Sequence, residues 1–205
     1  VSSIFSGGFH RTPGELEDRW SLTEAIYGGN LSFKGKRLTL GVTAVGYQFS
    51  KPFQRSDDLS NLFEFSGKQN SNYGLDYSYL WKNFHFFGEF GLSQNLGFAT
   101  THGLFMTIDP KVTVTAMVRY FQPKYQAIYA NAVSENSRMN NETGYYLGFN
   151  IQPFKSWFLN GFFDVFRFPW LRYQVNGPSY GYEAVGQLTY RPSRSFEVYF
   201  RFRQK

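Results

Sequence analysis

Segments of about ten residues, in which apolar and polar side chains alternate, constrain the fold of this chain more than any other feature. The clearest example is the last one, SFEVYFRFRQK (195–205). Phe196 and Phe202 project from one side of an extended strand, and Arg201 and Arg203 project from the other. A strand with one apolar and one charged face needs two different environments. The pattern therefore predicts a β-strand with one face in water and the other in a protein core or in lipid.

The same alternation recurs along the chain, and turn residues separate the segments. It predicts ten strands, at roughly 22–33, 38–49, 72–81, 84–94, 98–108, 112–121, 143–152, 157–167, 181–191 and 196–204. Strands of ~10 residues are typical of tilted strands that cross a bilayer, whereas soluble proteins more often use strands of ~5–6 residues. The length of the predicted strands favours a membrane-spanning sheet.

The predicted connections alternate between short and long. Tight turns rich in Gly, Pro, Asn, Asp and Ser are expected at 34–37, 82–83, 109–111, 153–156 and 192–195. Longer connections are expected at 50–71, 122–142 and 168–180, with a shorter one at 95–97. The stretch NLFEFSG (61–67) is assigned to the first long loop, with a short hairpin of its own as an alternative. In an up-and-down meander every short turn then lies at one end of the sheet, as in transmembrane barrels.

Aromatic residues are frequent although the chain is polar on average. Phe and Tyr raise the aromatic content to 21 %, and the mean hydropathy is −0.39. The sequence contains no run of ~18 apolar residues, which excludes a transmembrane helix. Aromatic residues near predicted strand ends match the interfacial girdles of membrane barrels. They are Tyr79, Trp81, Tyr120, Trp157 and Tyr190.

These patterns predict an all-β fold, an antiparallel up-and-down transmembrane β-barrel over residues 1–205, with 1–21 as an irregular lead-in. The alternative is a soluble sandwich or barrel, which would bury the apolar face and hydrate the polar one. Ten strands would close a small barrel, but we favour part of a larger one. Residues 1–19 contain no clear strand, and the chain ends RFRQK rather than on an aromatic residue.

The polar sides of the predicted strands carry both signs of charge, and we expect them to line the lumen. They are Asp76, His85, Glu89, Arg119, Asn150, Asn160, Asp164, Glu183, Gln187, Arg191, Glu197, Arg201 and Arg203. Mixed sign is typical of a salt-bridged interior or a selectivity lining. A nucleic-acid groove would be basic and interleaved with exposed aromatic side chains. The net charge of +6 is therefore assigned to lipid or lipopolysaccharide phosphates rather than to nucleic acid.

One histidine is placed for acid–base chemistry. His85 and Glu89 share a strand face, and Asp76 and Arg119 are expected nearby. A catalytic triad also needs a nucleophile within reach of its base, which this pattern does not supply. We therefore interpret the group as a hydrogen-bond and salt-bridge network and expect no catalytic residue.

Metal and cofactor sites are not predicted. His10 and His102 lack metal-ligand spacing, and His102 is expected to point to the lumen or the interface. Asp57 and Asp58 do not match a calcium loop. The chain has no cysteine, which excludes thiolate ligands and disulfides.

The stretch FPWLRYQVNGPSYG (168–181) is more apolar than an ordinary solvated loop, and Pro169 and Pro178 stiffen it. Its candidate contact residues are Phe168, Trp170, Leu171 and Tyr173. Exposed aromatic patches usually need cover. The loop is expected either to fold into the lumen or bind a partner protein, or to pack on the rim of its own barrel.

Several stretches resemble the barrel region of large outer-membrane proteins of Bacteroidota. The similarity extends from about Tyr73 onward and is carried by NFHFFGEFG (83–91), GFATTHGLF (97–105), RYFQPKYQAIYANAVSE (119–135), residues 140–183 and LTYRPSRSFEVYFRFRQK (188–205). The most specific part is FPWLRYQVNGPSYGYE (168–183). Those proteins often carry helix-hairpin-helix motifs before the barrel, and this sequence has none. The resemblance implies an outer-membrane barrel of which this chain is the later part, and it implies no catalytic residues.

We therefore expect a non-enzymatic channel or transport barrel in the outer membrane of a Gram-negative, Bacteroidota-like bacterium. The alternative is a structural or accessory subunit of a larger outer-membrane secretion or insertion complex. An outer-membrane hydrolase is a more remote alternative. The expected partners are outer-membrane lipid and lipopolysaccharide and, in the second case, other outer-membrane proteins.

Overall fold

Ten antiparallel strands form one sheet in the computed structural model of the chain, which describes residues 11–17 and 19–205. The strands are β1 (Glu24–Lys34), β2 (Leu38–Phe53), β3 (Gly67–Trp81), β4 (Phe84–Ser93), β5 (Phe98–Asp109), β6 (Val112–Phe121), β7 (Glu142–Phe154), β8 (Trp157–Phe168), β9 (Ser179–Ser193) and β10 (Phe196–Gln204). Strands that follow each other in sequence are neighbours in the sheet. The predicted all-β meander is confirmed. The described strands β1 and β10 do not pair with each other, so the sheet is open.

Little of the described chain is helical. It contains α1 (Pro13–Glu17) and a 3-10 turn at Leu59–Asn61. A capping box starts α1, because the Glu15 amide donates to Thr12 Oγ1 while the Thr12 amide donates to the Glu15 carboxylate. Among the described residues, no helix is long and apolar enough to cross a membrane. Of the predicted lead-in, residues 1–10 and 18 lie outside the described residues.

Short and long connections alternate as predicted. Short turns join the strands at 35–37, 82–83, 110–111, 155–156 and 194–195. The connections at the opposite end are 54–66, 94–97, 122–141 and 169–178. The hairpin considered at 61–67 is wrong, since residues 61–66 form no strand and Gly67 pairs with Phe53. Strands β2 and β3 are longer than predicted, because their pairing resumes at Phe53 and Gly67 after a shift of register that follows Gln48.

The two faces of the sheet differ in polarity. Strand register aligns Asp76, Glu89, Thr101 and Arg119 in one row across β3 to β6. We call the side that carries this row the polar face. The opposite side, the apolar face, presents large exposed side chains that include Leu40, Val42, Tyr73, Leu75, Phe90, Val118, Tyr145, Leu147, Phe163, Leu188 and Phe200. The period-2 alternation is therefore a property of the whole sheet.

The sheet curves toward its polar face. The Tyr129 hydroxyl donates to Glu24 in β1, and Lys205, directly after β10, donates to Glu135. The backbone from Tyr129 to Glu135 spans at most about 20 Å. Ten strands laid flat would be about 43 Å wide. One short segment contacts both edges of the sheet, so the edges approach each other on the polar side.

Two clusters of buried apolar side chains lie where the long connections meet the polar face. The first contains Tyr47, Phe49 and Phe53 from β2, and Phe65 from the following connection. The second contains Ala99, Phe121 and Tyr125. Aromatic contacts of this kind add apolar burial and a preferred ring geometry. They fix the long connections against the sheet.

Candidate functional site

Three long loops fold over the polar face at one end of the sheet. They are loop A (54–66), loop B (122–141) and loop C (169–178), and we call them together the cap. Gln126 links two of them, because its side-chain amide donates to the backbone carbonyl of Phe63 at 3.0 Å. Loops A and B are therefore connected directly.

Loop B is also attached to the sheet. The backbone carbonyl of Gln126 accepts hydrogen bonds from the side chains of Asn70 at 3.0 Å and Asn72 at 2.8 Å, both in β3. The adjacent Tyr125 packs against Phe121, and burial raises the pKa of its hydroxyl to about 12. Loop B is therefore held inside the curve of the sheet.

Asn141 and Trp170 join loop C to loop B. The Trp170 amide donates to Asn141 Oδ1 at 2.7 Å, and Asn141 Nδ2 donates to the Trp170 carbonyl at 3.0 Å. The indole Nε1 of Trp170 donates to the carbonyl of Leu59 in loop A at 3.0 Å, and its ring meets Phe63 edge-on at 5.0 Å. Asn141 has a φ of 56°, a left-handed conformation that Asn tolerates better than most residues.

The four candidate contact residues near loop C lie in different environments. Phe168 is buried, and the guanidinium of Arg172 lies 4.0 Å from its ring centre. Trp170 and Leu171 are partly buried. Tyr173 is 78 % exposed. Phe168 and Trp170 thus pack within the chain, and Tyr173 is the exposed member of the four.

A buried charged cluster lies beneath loop B. Arg119 in β6 donates from Nη1 and Nη2 to Asp164 in β8, both at 2.9 Å, and from Nε to Glu142 at 2.5 Å. Arg119 and Glu142 have fully buried side chains. The guanidinium passes over Gly144 of β7, where any Cβ would collide with it. Two carboxylates on one guanidinium leave a net negative charge, which needs further donors in a buried place.

Loop B supplies those donors. The Glu142 carboxylate accepts from Ser134 Oγ at 2.7 Å and from the amides of Glu135 at 3.1 Å and Asn136 at 3.0 Å. Hydrogen bonds to a charged acceptor are stronger than neutral ones. Glu142 is therefore the residue that ties loop B to the cluster. The sequence did not reveal the role of Glu142, because this residue follows Asn140 and Asn141 in a polar stretch that is typical of a loop.

Register puts the predicted lumen side chains on the polar face, and some of them pair. The observed pairs are Arg119–Asp164 at 2.9 Å, Arg203–Glu183 at 2.7 Å, Arg201–Gln187 at 2.7 Å and Arg191–Glu197 at 3.5 Å. His85 and Glu89 are not brought into contact with Arg119 among the described residues. Mixed charge thus yields local pairs rather than one network.

Asp76 and Glu89 face each other directly across β3 and β4. Neither carboxylate has a hydrogen bond or an ion pair to another described residue. Like charges at such positions destabilise a sheet. Both line a cavity of about 400 Å³ between the polar face and loop B. Phe87 and Met139 line the same cavity.

A serine–histidine pair is present on the polar face. Ser78 Oγ and His85 Nε2 are 2.8 Å apart. Among the described residues, no other side chain hydrogen-bonds to His85 to orient its ring. The surrounding backbone amides lie in strands paired on both sides, so they are not available to stabilise an oxyanion. The pair has two parts of a hydrolytic site and lacks the rest.

His102 lies on the apolar face. Its ring nitrogens are 3.0 Å from the Tyr77 hydroxyl and 2.7 Å from Thr100 Oγ1. Both polar atoms of the ring are therefore paired locally. Within the described ranges, no group of three or more His, Cys, Asp or Glu side chains is arranged to hold a metal ion.

No protein-family model matches this chain, and no curated protein or solved structure matches it either. The resemblance to the barrel regions of Bacteroidota outer-membrane proteins stays a prediction.

Proposed function

We propose that this sheet is part of a transmembrane β-barrel of an outer membrane and that it lines a passage for polar solutes. The apolar face would contact lipid and the polar face would line the lumen. The outer edges of β1 and β10 must be paired in lipid. The proposed barrel is therefore completed by strands beyond this sheet.

The observation that carries the proposal is the inverted polarity of the sheet. Arg119, Glu142 and Asp164 are buried on one face, while large side chains such as Leu147, 54 % exposed, cover the other. Monomeric soluble proteins rarely expose apolar patches larger than on the order of a few hundred Å². A face with exposed aliphatic and aromatic side chains on every strand is expected where the solvent is lipid.

Aromatic side chains at the short-turn end support the same orientation. Trp81 stacks on Phe84 with ring centres 5.7 Å apart, and Trp157 lies 4.7 Å from Tyr190. All four belong to the apolar face. Trp and Tyr are enriched at the level of lipid headgroups, where one end of the ring is apolar and the other is hydrated.

The test is the conductance of the full protein that carries this chain, inserted into a planar lipid bilayer. Discrete ohmic steps are expected. Arg201→Glu should shift the permeability ratio toward cations, because it reverses a lumen charge. Arg37→Glu, in the turn between β1 and β2, is the matched control and should leave the ratio unchanged.

A structural or accessory subunit is the second candidate, and the cap favours it. Loops A, B and C are hydrogen-bonded to one another across the polar face, while Tyr173 is exposed. A capped barrel would present its loops to a partner rather than conduct. Full insertion into the bilayer without conductance would support this function and reject the channel.

A further inference from the structure

The polar face between β6 and β10 forms an open groove of side-chain amides, hydroxyls, aromatic rings and guanidinium groups, with a cavity volume of about 510 Å³. We propose that this groove binds a saccharide that carries a carboxylate. The proposal deepens the proposed function by naming a class of solute. The proposal rests on the proposed function, because the passage would bring the solute to the groove. Binding can be measured without conductance.

Five neighbouring strands each place one polar side chain in the same row of the groove. The row consists of Thr113, Asn150, Asn160, Gln187 and Arg201. Paired strands are about 4.8 Å apart, so the row extends over about 19 Å. Side chains on a paired sheet are held more precisely than side chains on loops. The row therefore offers a preorganised series of hydrogen-bonding groups.

Two amides of this row are unpaired. The side chains of Asn150 and Asn160 make no hydrogen bond to another described residue, and Asn160 Oδ1 is buried. A buried polar atom without a partner is costly, and native structures contain few of them. Amides carry two donors and an acceptor, which matches hydroxyl groups that both donate and accept.

Two guanidinium groups lie at the β10 side of the groove. Arg201 Nε donates to Gln187 Oε1, and Arg203 Nε donates to Glu183 Oε1, both at 2.7 Å. These bonds orient the side chains through Nε. The Nη groups of Arg201 make no hydrogen bond or ion pair to a described residue. A guanidinium edge with two donors fits a carboxylate in a bidentate way.

An aromatic surface completes the groove. The rings of Tyr146 and Phe162 are 5.3 Å apart and nearly parallel, with an angle of 28°. The Tyr146 ring lies over Gly148, where a Cβ would approach the Tyr146 hydroxyl to 2.9 Å, and both rings remain partly exposed. Aromatic rings with a few placed polar groups are typical of small-ligand sites, whose volumes are about 300–1,000 Å³. The C–H face of a sugar ring fits such a surface.

The charge and composition of the lining select the ligand class. Arg201 and Arg203 face one carboxylate, Glu183, so the groove favours an anion. Amides, hydroxyls and rings outnumber the charged groups in the lining. A simple inorganic anion would leave most of them unused. An acidic saccharide would use all four kinds of group.

The experiment is calorimetric titration of the full protein in detergent micelles with trigalacturonate, with maltotriose and acetate as comparison probes. Trigalacturonate should bind more tightly than either. Arg201→Gln and Asn160→Leu should each weaken it about tenfold or more, the loss expected for a hydrogen bond to a charged or buried group. Asn150→Asp is a second variant, on an exposed side chain, that should weaken binding by repulsion without disturbing the fold. Arg37→Gln, outside the groove, should bind as the native protein does.

Three results would overturn the proposal. They are no binding of trigalacturonate at millimolar concentration, equal binding of acetate or maltotriose, and equal affinity in the groove variants and Arg37→Gln. If the protein binds trigalacturonate but does not conduct in bilayers, the binding site is supported and the channel is rejected. If the protein conducts but does not bind trigalacturonate, the channel is supported and the binding site is rejected.

Discussion

The guanidinium of Arg119 donates two parallel hydrogen bonds of 2.9 Å to Asp164, although β7 separates the strands that carry these residues. Gly144 in β7 makes this crossing feasible because it has no side chain to block the guanidinium. The same arginine holds Glu142, which in turn holds loop B. One buried cation therefore organises three strands and one loop of the cap.

Replacement of Arg119 should strongly destabilise the sheet. Arg119→Met leaves Glu142 and Asp164 buried without their cation, and breaking a buried pair in this way costs about 3–5 kcal/mol. Arg191→Met is the matched control, because that residue and Glu197 are about half exposed and 3.5 Å apart. The control should lose no more than about 1 kcal/mol. Urea unfolding of the protein in micelles measures both, and similar losses would contradict the central role of Arg119.

Loss of the Glu142 carboxylate should release loop B. Glu142→Ala removes the acceptor for Ser134 Oγ and the amides of Glu135 and Asn136. Trypsin cleavage after Arg138 should accelerate at least about tenfold, since such cleavage tracks the population of the opened loop. Glu197→Ala, on an exposed carboxylate, should leave the rate unchanged. A Glu142→Ala protein cleaved at the native rate would show that other contacts hold the loop.

Asn141 should contribute to the stability of the fold through both its side chain and its backbone conformation. Asn141→Gly removes the two hydrogen bonds to Trp170 but keeps the φ of 56° accessible. Asn141→Ala removes the same bonds and also places a Cβ in the left-handed region. The alanine variant should therefore be less stable than the glycine variant by about 1–2 kcal/mol. Equal unfolding free energies of the two variants would mean that the backbone relaxes at no cost.

A charge on the apolar face should distinguish lipid from water around the sheet. Leu147→Arg in β7 should cost about 2–4 kcal/mol in a bilayer. In water the same exposed position should change stability by about 0.5 kcal/mol or less. Thr115→Arg, on the polar face of the neighbouring strand, is the matched control. Unfolding from lipid vesicles that gives a small loss for both variants would reject the proposed orientation.

The cap should weaken at alkaline pH. Burial raises the pKa of Tyr125 to about 12, from an ordinary value of 10.0. Ionisation is thus disfavoured in the folded state, so this stabilisation is complete below pH 10 and decreases as the pH rises toward 12. Between pH 9 and pH 11, the native protein should lose up to about 1.4 kcal/mol more unfolding free energy than the Tyr125→Phe variant loses. Tyr173→Phe, with an exposed ring, is the control and should behave as the native protein does.

Alternation in the sequence predicted the strands because side-chain direction along a strand is a local property with a period of two. Strand identity, the alternation of short and long connections and the membership of each face follow from this period and from turn residues. Without any knowledge of strand pairing, the alternation could thus assign four residues to one face, namely Arg119, Asp164, Arg201 and Gln187.

The partners on that face were decided by tertiary structure. Register and curvature brought Arg119 to Asp164 across β7, and loop B to Glu142, and neither relation has a local signal in the sequence. Phe65 illustrates the same limit, because its place against Tyr47 and Phe49 in a buried cluster excluded the hairpin that its own stretch allowed. A pattern of polarity determines which side of a strand a residue occupies, whereas long-range packing determines what it contacts.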